Sequence, residues 1–209
     1  MMARKILLLT FSLVILAAVY ATGLVRDWYG QPRGPGEIVG RERAPILIST
    51  RDAEQAAIRA GMTQNIDQNK QILFGDLHVH TTYSTDAFLW SMPIFGGEGS
   101  HPLADACDYA RHCSAIDFWA ITDHAEASTP ERWENTKQSI RACNALSGAS
   151  KSPDLVSFIG FEWTQVGARP EGHYGHKNVI FKDLEDSKLA ARPIASGGVT
   201  VTALRTNGK

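Results

Sequence analysis

The stretch Phe74–Asp86, FGDLHVHTTYSTD, decides how this chain is read. His78 and His80 stand two residues apart, with Asp86 six residues further on. The run Ile72–His80 reads as a strand, and residues two apart on a strand point to the same face. Both imidazoles therefore project together near the strand's end, as half of a metal site. Asp76 shares that face one pleat deeper, a place suited to orienting a ligand histidine.

A regular pattern continues downstream. His101–Cys113 reads as a helix, with Leu103, Ala106, Cys107 and Ala110 at i, i+3, i+4, i+7. Ile116–Thr122, IDFWAIT, is nearly continuous apolar sequence, as expected of a buried parallel strand. Ser128 or Thr129 is expected to cap the next helix, with Pro130 just inside it. Glu131 is spaced for a capping box with Ser128, and the helix should stop at Gly148. Leu155–Trp163 and Asn178–Phe181 read as further strands. Alternating strands and helices define an α/β class with a parallel sheet.

The candidate ligands recur at one address. His80 ends the first strand, His124 follows the second in ITDH, Glu162 lies near the end of the third in GFEW, and His176 leads into the fourth in GHKNVIF. Active sites of α/β barrels collect at the C-terminal ends of strands. A carboxylate flanked by apolar residues, as Glu162 is in IGFEWT, must be paired or bound to a cation. Asp123 reads as a residue that holds the loop or orients a ligand. His101 and His112 lie in or beside a helix and read as solvated. Imidazole with carboxylate suits zinc, manganese or iron, and clustered thiolates of a structural zinc ribbon are absent.

The rest of the sequence bounds the class. The 209 residues are 44% hydrophobic and 21% charged, with five Trp and eight Phe, which is globular composition rather than that of a disordered chain. A net charge of −1 gives no electrostatic footprint for nucleic acid. Arg4 and Lys5 precede the uncharged run Ile6–Val25, which fits a transmembrane anchor or a signal peptide cleaved near Val19-Tyr20-Ala21. A buried core helix is the plainer alternative. Either main reading exports the remainder to the periplasm or exterior, attached to the membrane if the segment is uncleaved. Residues 26–70 read as a linker, Gly-, Pro- and Arg-rich and exposed over 26–45, then polar and Ala-containing with a short helix after Ser49 or Thr50. Cys107, Cys113 and Cys143 allow one disulfide and one leftover thiol in an oxidising compartment, or three small buried residues on helices.

The ordered set DLHVHTTYSTD, ITDH, GFEW and HKNVIF resembles the PHP (polymerase and histidinol phosphatase) superfamily of metal-dependent phosphoesterases. More narrowly, FGDLHVHT with TDHAE and GHKNVIF resembles an uncharacterised, often exported branch of it. The resemblance covers Ile72 to Phe181 and implies a distorted (β/α)7 barrel with two or three divalent ions. It implies that His78, His80 and Glu162 bind a first ion. Glu162 would bridge to a second ion held by His176, with His173 as the competing ligand or a substrate contact, and Asp86 and His124 would hold a third. Asp76 and His173 are the remaining candidates for a part in catalysis, and Lys177 for a phosphate contact or a solvated surface charge. The superfamily's late Asp-x-His has no counterpart, because no histidine follows His176. Residues 71–209 are therefore expected to form the N-terminal part of such a barrel, incomplete at its C-terminus. The implied function is hydrolysis of a small-molecule phosphoester by a metal-activated water. The alternatives are amide or ester hydrolysis on the same site, or an inactive metal-binding remnant.

Overall fold

Trp119, Ala120 and Ile121 are wholly buried, so the apolar run read as a strand is covered on both faces. This strand, β2 (Phe118–Ile121), lies between β1 (Gly75–Val79) and β3 (Val156–Phe158) in a three-stranded parallel sheet of order β1-β2-β3. In the computed structural model the described residues are 2–25, 34–61, 72–91, 101–148, 152–165 and 169–195. The chain forms two units, Met1–Gly34 and Pro35–Lys209. Residues 26–33 and 62–70 of the predicted linker, residue 71, and the chain end from residue 196 lie outside the described residues.

The first unit is built on one helix, α1 (Met2–Val25). Its described side chains, from Arg4 to Tyr20, are exposed, among them Ile6, Leu7, Phe11 and Leu16. Among the described residues, no helix is long and apolar enough to cross a membrane.

In the second unit, α2 (Pro45–Gly61) begins earlier than the sequence pattern placed it. Pro45 sits at the first helical position, where its missing N–H costs nothing and its fixed φ is already helical. The segment before it is not a free linker. Arg43 is 9% exposed, and its guanidinium donates to the carbonyls of Arg111 (2.6 Å), Asp154 (2.9 Å), Ala110 (3.3 Å) and Ile116 (2.7 Å). Nothing in a Gly- and Pro-rich composition reports an anchor of that kind. The acceptors become a cluster only when the chain has folded.

Helix α3 (Thr85–Trp90) follows β1, and α4 (Leu103–Asp108) runs into a π-turn, Tyr109–Cys113, in place of one regular helix. Within that turn Arg111 is fully buried. Its Nε is 3.0 Å from Asp154 Oδ2, and its remaining nitrogens reach Cys107 Sγ, Cys143 O and Ser147 Oγ. Helix α5 (Pro130–Ala145) is capped by Thr129, whose hydroxyl accepts the N–H of Arg132 at 3.1 Å. Ser128 lies outside the helix, so the expected Ser128–Glu131 capping box does not form. Cys107 and Cys143 are disulfide-bonded and tie α4 to α5, while Cys113 is free and exposed. The core is formed by Leu103, Trp119, Ile121, Trp133, Ile140, Leu155, Ile159 and Phe161.

The predicted strand Leu155–Trp163 divides at Ile159 into β3 and β4 (Gly160–Gln165). At Gly160 a Cβ would stand 2.7 Å from the Val179 carbonyl oxygen and 2.8 Å from that of Ile121. Only glycine admits so close an approach of three backbones. There the chain leaves β2 and pairs antiparallel with β5 (Gly175–Ile180). The fold is thus mixed α/β, a parallel sheet with helices plus an antiparallel hairpin, not parallel throughout. His176 lies inside β5 rather than ahead of it.

Two predictions follow from these contacts. Arg111→Met leaves Asp154 without its buried partner and should cost about 3–5 kcal/mol, read as a lower urea midpoint. At the surface, Asp186 is held below its ordinary 3.8 by hydrogen bonds from Lys137 and Arg141. A depressed acid stabilises above its unfolded pKa, and that contribution is lost as pH falls through the depressed value. Trp133, whose indole donates to Ala190 O at 3.0 Å, reports on this segment. Its near-UV signal should change in acid in the native chain, and the step should disappear in Asp186→Asn.

Candidate metal centre

Two loops bring the candidate ligands together, and backbone bonds fix both. β1 departs from regular register between Asp76 and Val79. The Asp76 carboxylate accepts the N–H of His78 at 2.9 Å, and Asn178 donates to Leu77 O at 2.9 Å. Just beyond β1, the N–H and hydroxyl of Thr81 donate to the Asp123 carboxylate at 2.6 and 2.8 Å. His124 N–H in turn donates to Ser84 Oγ at 2.8 Å. The loops after β1 and β2 are therefore cross-locked, with His80 on one and His124 on the other. β4 joins them where Glu162 N–H donates to Asp123 O at 3.1 Å.

Glu162 is the centre of the result. It is 2% exposed, and four imidazoles converge on its carboxylate. His80 Nε2 lies 2.8 Å from Oε2, His78 Nε2 3.2 Å and His124 Nε2 3.6 Å, while His176 Nδ1 lies 2.6 Å from Oε1. Asp86, in the first turn of α3, is 3.1 Å from His124 Nε2 and 3.5 Å from His80 Nδ1. Burial works against the charge on Glu162, but His124, His78, His80 and His176 outweigh it and hold the carboxyl below its usual range. Burial opposes the charge on Asp86 as well, and is outweighed by the Ala87 N–H, His124 and His80.

The donor set falls into three overlapping groups that can each hold a metal ion: His78, His80 and Glu162; His80, Asp86 and His124; and His124, Glu162 and His176. Their fit to a cation is tested by His80. Its Nε2 is buried and makes no hydrogen bond, although Glu162 Oε2 is only 2.8 Å away. The two atoms do not align as donor and acceptor, and with His78 their ligand atoms lie within 4.8 Å of one another, a spacing one ion could bridge. Nitrogen and carboxylate donors in this mixture suit a borderline divalent metal.

All six residues read from the sequence as ligands, His78, His80, Asp86, His124, Glu162 and His176, are brought together. His173 is exposed after the turn Pro170–Gly172 and belongs to none of the groups among the described residues, whereas His176 belongs to one. Asp76 bonds the backbone of His78 rather than its ring. Lys177 pairs with Trp163 on the opposite face of the hairpin from Glu162. Its ammonium lies 5.8 Å from the Trp163 ring and 5.3 Å from that of Tyr174, and donates to Tyr174 O. It is not placed to meet a phosphate at this centre. His101 pairs with Asp105 on the exposed surface, and His112 is exposed.

Sequence reasoning missed Thr164, Glu126 and Asn178. Strand alternation puts Thr164 on the face of Glu162, a signal that was available. Asn178 could not be found, because it faces Glu162 only through the antiparallel register of β5.

A family model described as a protein of unknown function (DUF3604) matches residues 67–147. The match takes in His78, His80, Asp86 and His124 and ends before Glu162 and His176. No curated protein and no solved structure matches the chain.

Glu162→Gln and His80→Ala should each weaken zinc or manganese binding by more than about 100-fold, beyond the range typical of losing an outer partner. His173→Ala should leave it unchanged. Isothermal titration of the full chain measures all three.

Proposed function

We propose that this chain is an exported metal-dependent hydrolase acting on a small-molecule phosphoester. The observation that carries the reading is the buried Glu162 carboxylate at the meeting point of four imidazoles, with His80 Nε2 left without a hydrogen bond. A divalent cation held there supplies a Lewis acid and an activated water, the chemistry that phosphoester, amide and ester hydrolysis share.

The protein's own part is positional. His80 and His124 are largely covered, with side chains 16% and 15% exposed, whereas His78 and His176 are 57% and 50% exposed. The closed side holds and orients donors, and the open side admits substrate. The three overlapping donor groups favour more than one ion, and a pair of ions can clamp both the attacking and the leaving oxygen of a phosphoryl group. The resemblance to PHP phosphoesterases points the same way, and with it the proposal that this fold is part of a distorted barrel. Export is supported by the basic, then apolar N-terminus and by the Cys107–Cys143 disulfide, a bond characteristic of oxidising compartments.

Purified full-length protein loaded with manganese or zinc should cleave generic phosphomonoesters or phosphodiesters, lose that activity to a chelator, and regain it with the metal. Turnover of amides or lactones in place of phosphoesters would move the reading to the other hydrolase class. Absence of stoichiometric metal and of any metal-dependent turnover would overturn it.

A further inference from the structure

We propose that Asp76 and Asn178 are positioning residues that hold a bulge in β1, and that this bulge turns His78 toward Glu162. The inference rests on the metal-dependent reading above and concerns two residues outside the ligand set. Asp76 stands opposite Trp119, and Val79 stands opposite Ile121. The step is three residues on β1 and two on β2, so Leu77 and His78 together oppose Ala120. Regular pairing onward from Asp76 would set His78 opposite Ile121, a wholly buried core residue. With the extra residue, Val79 takes that place and packs against the core, and the imidazole is released from it. His78 Nε2 then lies 3.2 Å from Glu162 Oε2.

Bulges re-aim side chains beside functional sites, but they are rare between parallel strands and disrupt the ladder locally. Backbone groups displaced from a ladder need other partners. Two side chains provide them. His78 N–H donates to Asp76 Oδ1 at 2.9 Å, and Asn178 Nδ2 donates to Leu77 O at 2.9 Å. The first bond closes a short loop within the bulge, and the second ties the bulge to β5. Asn178 is paired with Glu162 across the β4–β5 hairpin, so the two side chains share a face. The hairpin that carries the carboxylate thus also grips the backbone that carries the imidazole. The His78 side chain is 57% exposed, so its aim depends on the backbone more than on packing around the ring. In this scheme Asp76 serves as a hydrogen-bond acceptor, and its charge is not used.

Zinc affinity of the full chain, measured by titration calorimetry, should fall about 10–100-fold in Asp76→Ala and in Asn178→Leu, the range typical of losing an outer partner. Asp76→Asn keeps an oxygen for the His78 N–H and should bind zinc as the native chain does. On a His78→Ala background Asn178→Leu should add no further loss, because the side chain it positions is gone. Asp76→Asn as damaging as Asp76→Ala, or losses from Asn178→Leu and His78→Ala that simply add, overturns the proposal. A second readout needs no metal. By NMR hydrogen exchange, the His78 amide should exchange about 2- to 10-fold faster in Asp76→Ala than in the native chain, and at the native rate in Asp76→Asn. A rate unmoved by Asp76→Ala also overturns the proposal. Each side chain has its own variant, so loss of the fold in one leaves the other decisive. Native protein that shows this exchange pattern yet binds no zinc would uphold the bulge and refute the metal-dependent reading instead.

Discussion

A carboxylate that is 2% exposed must find positive charge or hydrogen-bond donors, or be neutralised, and Glu162 is placed where four imidazoles meet. That requirement orders the surrounding structure. The end of β1 has to deliver His78 and the loop after it His80, the loop after β2 has to deliver His124, and β5 has to run antiparallel to β4 to bring His176 alongside. The first two demands and the seating of Glu162 are met by backbone N–H bonds rather than by side-chain packing alone: His78 N–H to Asp76, Thr81 N–H to Asp123, His124 N–H to Ser84, Glu162 N–H to Asp123 O. Asp123 serves two of these and is the residue on which the two loops hinge.

Behind the centre, a second buried polar cluster holds the helices. Arg111, Arg43 and Asp154 share carbonyls and a carboxylate between the π-turn, the segment entering α2 and the entry to β3. Buried charge pairs are weak evidence for net stability, but removing one partner leaves the other charge buried and uncompensated, which is strongly destabilising. The two clusters do different things. The inner one gathers donor atoms within 4.8 Å of one another in each group, and the outer one fixes the layer against which the sheet is laid.

Much of this was legible in the sequence. His78, His80, His124 and Glu162 could be read because strand alternation and strand-end position constrain where side chains go, and neither needs long-range information; Asp86 and the preference for His176 over His173 came with the family resemblance. Strands β1 and β2 and helix α5 were legible for the same reason. The break at Gly160 was not, because IGFEW continues the apolar pattern of a single strand and only the approach of the Val179 and Ile121 carbonyls shows why the chain must turn there. The antiparallel course of β5, the π-turn that buries Arg111 and the docking of Arg43 escaped for a related reason. Each depends on partners far away in sequence, whose positions a local pattern does not carry.

The disulfide has a consequence for how the molecule matures. Cys107 and Cys143 are separated by 36 residues, and the loop they close contains all of β2, the turn bearing His124 and most of α5. Closing a loop of that length removes roughly 4 kcal/mol of chain entropy from the unfolded state. A reduced chain must order that loop unaided. Oxidation at α4 and α5 therefore favours assembly at a distance: it makes the ordered position of an imidazole at the far end of β2 less costly to reach.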